Sequence, residues 1–177
     1  MSQFIYDDHD HFMREKCCHP SKIKELVKKM ETFANESLEE SDRFVLYGML
    51  GNLYRIGNEP KKAIEYLEKC LHYARDHEDD MKEIVSLIRL GEAMKYNQDK
   101  QNALKLFEHA LQKCRKKNIS SYEDYALQHM GKCLLEMNRN QEALACFKKA
   151  LKIRESKGNS DLIESTKKAI TFTEGLL

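Results

Sequence analysis

Two prolines and seven glycines in 177 residues leave little of the turn chemistry that an all-β chain needs at each reversal. No run comes near the roughly 20 apolar residues that cross a bilayer. Neither sign of charge is in excess: 30 Lys and Arg stand against 29 Asp and Glu, a formal net charge of +1. A dedicated nucleic-acid binder neutralises phosphate with a basic surplus, and this chain has none. The opening residues, Met1 to His11, hold acids where a secretion signal holds a basic stretch and then an apolar one. The expectation is therefore a cytoplasmic chain with no membrane partner. In that compartment the six cysteines (Cys17, Cys18, Cys70, Cys114, Cys133, Cys146) read as small buried hydrophobes rather than disulfides. What remains is 41% apolar and 33% charged, the composition of about one helical domain.

An internal repeat decides the architecture. Gly51, Gly91 and Gly131 lie 40 residues apart, and Ala63, Ala103 and Ala143 keep the same interval. So do Leu67, Phe107 and Phe147, then Cys70, Ala110 and Ala150, then Leu71, Leu111 and Leu151. Each unit reads as two helices. The first carries Phe44, Tyr47, Leu50, Gly51 and Tyr54 at helical spacing, and the next copy carries Ile84, Leu87, Leu90, Gly91 and Met94. A break follows at Gly57-Asn58, Asn97-Gln98 or Asn138-Arg139, small polar residues that tolerate the left-handed end of a helix. The second helix shows one stripe of Ala63, Ile64, Leu67, Cys70, Leu71 and Ala74. Asp80-x-x-Glu83 and Ser120-x-x-Glu123 have the spacing of capping boxes. The small Gly and Ala columns let the two helices of a hairpin approach, and the bulky column is expected to fill the space between successive hairpins.

The flanks continue the pattern. Ile23, Val27, Met30 and Ala34 place a second-type helix over residues 21–36, opened by Pro20. Residues 3–17 match the first-helix columns poorly, with His11 where Gly is expected, but Phe4, Ile5, Phe12 and Met13 suggest a helix there, so residues 1–40 read as a degenerate helical pair. From Asp161 onward, Leu162, Ile163, Ala169, Ile170, Thr173, Leu176 and Leu177 form one face of a helix over residues 160–177, the cap that the open end of a solenoid needs. The expectation is a single domain over residues 1–177, with about nine helices and three repeats over residues 42–156.

These columns resemble the tetratricopeptide repeat: an aromatic or Leu, then Leu-Gly, a large residue, Ala, a large apolar residue and a small one. Tyr47, Leu50-Gly51, Tyr54, Ala63, Leu67 and Cys70 carry the match in the first copy. Leu87, Leu90-Gly91, Met94, Ala103, Phe107 and Ala110 carry it in the second. Leu127, Met130-Gly131, Leu134, Ala143, Phe147 and Ala150 carry it in the third. The fold class so implied is all-α, a right-handed superhelical solenoid of antiparallel helix pairs with a C-terminal capping helix. Two features depart from the common pattern. The period is 40 rather than 34, and Arg75, Arg115 and Glu155 stand where a proline often closes the second helix. The longer period is similar to long-helix variants in kinesin light chains, cortical-polarity scaffolds and bacterial peptide-sensing regulators. It is expected to lengthen both the helices and the connections between repeats.

The resemblance implies a concave groove lined by first-helix positions that do not face the core. These are Val45, Gly48, Asn52 and Arg55; then Val85, Ile88, Arg89, Glu92 and Lys95; then Tyr125, Gln128, His129 and Lys132. Apolar anchors among amides and both charge signs suit an extended peptide or a partner helix. Asn52 can pair with both backbone groups of a peptide, Arg89 can fork onto a carboxylate, and Tyr125 offers a rigid contact. Members that clamp a terminal carboxylate pair a Lys with an Asn; Asn52 matches the Asn, but Gly48 occupies the place of the Lys.

Other chemistries are weaker. His9-Asp10-His11 with Cys17-Cys18-His19 offers ligand types suited to zinc, but adjacent cysteines do not easily face one ion, and a solvated face is the plainer reading. His129 and Cys133 share a helix face as a nucleophile pair would, yet Cys133 belongs to the packed columns. The run Lys113 to Lys117 ends a helix, where cations meet the macrodipole favourably. Glu92 in the groove opposes an RNA reading. The function expected is a non-catalytic adaptor for a protein or peptide, without cofactor, metal or nucleic acid. Its alternatives are an inhibitor or immunity-type protein for one enzyme or toxin, suggested by small size and no attached effector domain; a peptide-sensing regulator; and a metal protein using the N-terminus.

Overall fold

Apolar residues at helical spacing, interrupted at regular intervals, fold as helices of nearly equal length. The computed structural model describes residues 5–8, 13–17, 19–34 and 38–177, the first of these as backbone alone. After a short antiparallel pair, β1 (Ile5–Asp8) and β2 (Arg14–Cys17), come α1 (Pro20–Ala34), α2 (Glu40–Ile56), α3 (Pro60–Asp76), α4 (Asp80–Tyr96) and α5 (Lys100–Lys116). A 3₁₀ turn (Ser120–Tyr122) leads into α6 (Glu123–Glu136), followed by α7 (Asn140–Lys157) and α8 (Ser160–Glu174). Each helix packs against its neighbours in sequence, so three hairpins, α2–α3, α4–α5 and α6–α7, stack into a solenoid.

The six junctions from α2 to α8 each end a helix with one left-handed residue. Asn58, Glu78, Gln98, Asn118, Asn138 and Gly158 have positive φ, one left-handed residue every 20 positions. At the first five the next residue donates its N–H back to a carbonyl five residues earlier: Glu59 to Tyr54, Asp79 to Ala74, Asp99 to Met94, Ile119 to Cys114 and Arg139 to Leu134, each at 2.9 Å. That bond satisfies a carbonyl the helix end would otherwise leave open. The connections between repeats (residues 77–79 and 117–119) are therefore as short as those within them (57–59 and 97–99), and the longer period goes into the helices alone.

Inside each hairpin a bulky side chain sits directly on the glycine. A Cβ at Gly51 would lie 2.5 Å from Leu67, and one at Gly91 or Gly131 would lie 2.6 Å from Phe107 or Phe147. The large column thus fills the crossing within a hairpin, not the gap between hairpins as expected. Leu50, Leu67, Ile84, Leu87, Phe107, Leu134 and Phe147 are fully buried and form the spine of one continuous core.

The structure corrects further expectations. Residues 5–8 and 14–17 are strands, so the first half of the supposed helical pair over residues 1–40 is a hairpin. Among the described residues there are eight α-helices rather than about nine. Neither capping box forms. Asp79, not Asp80, caps α4 by accepting from the Lys82 N–H at 2.9 Å, and Ser120 lies in the 3₁₀ turn. Asp80 and Glu83 instead grip Lys113 at 2.7 Å each, and Arg115 pairs with Glu123, which accounts for two cations of the basic run. At the far end α8 stops before Leu176 and Leu177, which are exposed. No described helix is long and apolar enough to cross a membrane.

The cap is tied on by charge. Asp124, wholly buried on α6, accepts from Arg154 at 3.0 Å and Lys157 at 2.5 Å. Arg154 continues to the Leu162 carbonyl and the Thr166 hydroxyl on α8.

Candidate functional site

The first helices of the hairpins turn one face inward, and those faces enclose a groove of about 870 Å³. Asn52, Val85, Ile88, Arg89, Glu92, Tyr125 and His129 line it, as the repeat register places them. Met49 and Leu53 of α2 and Tyr122 of the 3₁₀ turn join them. The opposite wall is α1, through Lys22, Ile23, Leu26 and Lys29. That wall escaped the sequence reading, because a second-type helix is expected on the convex side. Its signal was present in Leu26 and Phe33, which are exposed apolar residues off the Ile23–Val27–Met30 stripe.

Two polar groups offer free contacts in this apolar setting. Arg89 is exposed, its guanidinium lying over Gly48, and it makes no hydrogen bond or ion pair among the described residues. Gly48 lines the groove and also leaves the space that Arg89 occupies, since a Cβ there would lie 2.8 Å from its Nη1. Asn52 accepts from Arg55 at 2.7 Å through its amide oxygen. Val45 is exposed on α2 but stands outside the groove lining.

The other expected groove residues have a different fate. Arg55, Lys95, Lys132 and Gln128 are buried. The first three form a charged layer at the C-terminal ends of α2, α4 and α6, and β2 covers it. Lys132 Nζ donates to the Met13 carbonyl at 3.2 Å, and Arg55 Nη2 pairs with Glu15 at 2.6 Å. Arg14 forks onto Glu136, Nε to Oε1 at 2.9 Å and Nη2 to Oε2 at 2.5 Å. Tyr96 donates to the Glu15 carbonyl at 3.1 Å, and the Arg14 and Arg55 guanidiniums lie 5.1 and 4.9 Å from its ring centre. Met13, held at positive φ, is buried in the common core. Among the described residues Gln128 makes no hydrogen bond with either amide atom.

Electrostatics in this layer oppose burial with pairing. Desolvation works against the Glu92 carboxylate, but Arg55 and His129, whose Nδ1 lies 2.9 Å away, outweigh it and hold the group well below its ordinary value. Burial likewise works against the Arg55 charge, and Glu92 and Glu15 overcome it. Lys95 is fully buried and its pKa falls through desolvation, although Glu136 lies 3.4 Å away. Arg55, Glu92 and His129 thus form one ion-paired cluster, with Lys95 beside Glu136. Cys133 is buried, donates to the Lys100 carbonyl at 3.3 Å, and has its thiol pushed up to about 11 by desolvation. His9, Asp10, His11 and Cys18 lie outside the described residues; among the described ones no three His, Cys, Asp or Glu side chains are grouped to hold a metal.

Stacked antiparallel helix pairs, a glycine under a bulky residue at each crossing and one inward-facing groove define a helical-repeat protein. Family models described as the tetratricopeptide repeat match residues 45–77 and residues 82–156. The chain belongs to that family. No curated protein matches it. Among solved structures it is similar to the apo form of RapI, with a TM-score of 0.71 and 17% identity, covering 84% of this chain and 54% of that one. It is also similar to a putative kinesin light chain with nearly identical repeats from Podosopora anserina, with a TM-score of 0.66 and 15% identity over 88% of this chain and 80% of that one. A signal-transduction ATPase with a tetratricopeptide repeat sensor from Pyrococcus horikoshii gives a TM-score of 0.71 and 18% identity, over 88% of this chain and 24% of that one. The chain thus spans about half the length of RapI, and the likeness to all three concerns the fold.

Proposed function

We propose that this protein is a non-catalytic adaptor that holds an extended peptide or a partner helix in its concave groove. The observation that carries the reading is the groove itself: about 870 Å³ of space between α1, α2, α4 and α6, walled by Leu26, Met49, Leu53, Val85 and Ile88. Such a surface excludes water around an apolar side chain, while Arg89 and Asn52 supply the polar contacts that fix a backbone. Proteins of this family bind protein or peptide partners, and in the ATPase from Pyrococcus horikoshii the repeat is the sensor. The lining sets Lys22, Lys29 and Arg89 beside Glu25 and Glu92, and both signs of charge can be paired by a polypeptide. An inhibitor of one enzyme or toxin is the special case in which a single partner fills the groove.

The test is affinity capture from the lysate of the source cell, with wild type beside an Asn52→Ala, Arg89→Ala variant. One partner held by wild type and depleted at least tenfold with the variant supports the groove. A partner that survives both substitutions moves the interface elsewhere and overturns the reading.

A further inference from the structure

The charged layer beside the groove is built to grip an extended segment, and one from this chain already lies in it. Three consecutive residues of the Met13–Glu15 run meet three helices in turn. The Met13 carbonyl is held by Lys132 of α6, Arg14 by Glu136 of α6 and the Lys95 carbonyl of α4, and Glu15 by Tyr96 of α4 and Arg55 of α2. Of these five contacts, two hold the segment's own carbonyls, two join side chains of opposite charge, and one runs from Arg14 to a carbonyl of α4. That is how a groove recognises a peptide: main-chain bonds fix the segment and side-chain pairs select its sequence.

Several features make the grip reversible. Its contacts are mainly ionic and polar, and ion pairs withdrawn from water return little net stability. Its buried apolar anchor Met13 sits at φ 59, a backbone conformation that bulky side chains avoid, and Cys17 is only partly buried. Glu15 is more than a third exposed, so water already reaches the acid end of the contact.

We propose that this layer is a second recognition site, specific for an extended segment with an apolar residue followed by a basic and then an acidic one. β2 and Met13 are its ligand in cis, displaced when a partner presents the same pattern. The proposal rests on the adaptor reading for the partner's existence, but it concerns Lys132, Glu136, Tyr96 and Arg55 rather than the apolar groove. A segment that occupies its own site nine-tenths of the time lowers the apparent affinity for a competitor about tenfold.

The experiment uses the full chain and a fluorescent peptide, Phe-Met-Arg-Glu-Lys-Ser, copied from residues 12–17 with Cys17→Ser. In an Arg14→Glu, Glu15→Lys variant the cis segment is repelled and the receptor residues are untouched. The expected result is saturable binding by this variant, at least tenfold tighter than by wild type and weakened by salt. A peptide with the two charges exchanged should not bind the variant. Equal binding of both peptides, or none by a variant whose helical circular dichroism is unchanged, overturns the proposal. Amide exchange gives an independent readout. Residues 13–17 should be protected in wild type and open in Glu15→Arg; protection unaltered by Glu15→Arg also overturns it. If these fail while Asn52→Ala, Arg89→Ala still loses its captured partner, the cis-ligand falls and the groove stands.

Discussion

At the residue scale, the crossing glycines show how the repeat's columns work. Gly91 lies under the Phe107 ring, and a methyl group there would sit 2.6 Å from Cε1. Helix propensity alone would favour alanine over glycine by about 1 kcal/mol. A fully buried ring cannot give way, however, and overpacking costs about 1–3 kcal/mol. Gly91→Ala is therefore expected to lower stability by about 1 kcal/mol in urea unfolding, and Phe107→Leu added to it should recover part of the loss. A stabilised Gly91→Ala would show that the hairpin can open without cost. The buried thiols follow a related logic: desolvation pushes Cys70, Cys114 and Cys133 up to about 11, which suits packing and not nucleophilic chemistry.

At the element scale, helix ends and tethers set the geometry. Of the six left-handed residues that close α2 to α7, Gly158 is the glycine; at the other five a side chain carries the strain. A β-carbon in that conformation costs about 1–2 kcal/mol, offset partly by glycine's greater loss of entropy. Glu78→Gly should thus raise stability by about 0.5–1 kcal/mol, and Gly158→Ala should lower it by a similar amount. A thermal melt of each variant checks both signs. Nothing lies within 4 Å of a Cβ at Gly158, so its effect reports conformation and not crowding. The groove wall is tethered as an element too. Glu31 of α1 accepts from Tyr54 of α2 and, at 3.1 Å, from Tyr66 of α3; burial, with Glu31, pushes the Tyr66 phenol up to about 12.

At the scale of the whole molecule, one charge network joins α2, α4 and α6. Glu92 lies between Arg55 and His129, and its pKa is depressed in the fold. The sign follows from linkage. A depressed carboxylate contributes stability above its unfolded value of about 4.3, and that contribution is lost as pH falls through the lower folded value. Wild type should therefore exceed Glu92→Gln in urea stability at pH 7, by about 3 kcal/mol if the buried pair behaves as such pairs do. The gap should close as the pH drops below 4, and a gap independent of pH would mean that the carboxylate does not carry the network.

The repeat itself was legible in the sequence because it is local. Apolar columns at helical spacing, breaks at Asn58, Gln98 and Asn138, and glycines every 40 residues specify helices, junctions and hairpin crossings one unit at a time. The inward positions Asn52, Val85, Ile88, Arg89, Glu92, Tyr125 and His129 followed from that register alone. What the register could not tell was which inward positions stay open. Arg55, Lys95 and Lys132 read as groove residues, and a strand more than 35 residues away in sequence covers them. Four-residue strands carry too little periodicity to announce themselves, and β2 pairs with β1, with charges on α2 and α6 and with a carbonyl and a hydroxyl on α4. α1 became a groove wall for a similar reason. Its stripe showed what it buries, while its contacts with Tyr54 and Tyr66 decide where its other face points. Local spacing determined the solenoid; long-range ion pairs and hydrogen bonds, which leave no period in the chain, decided the shape of its binding face.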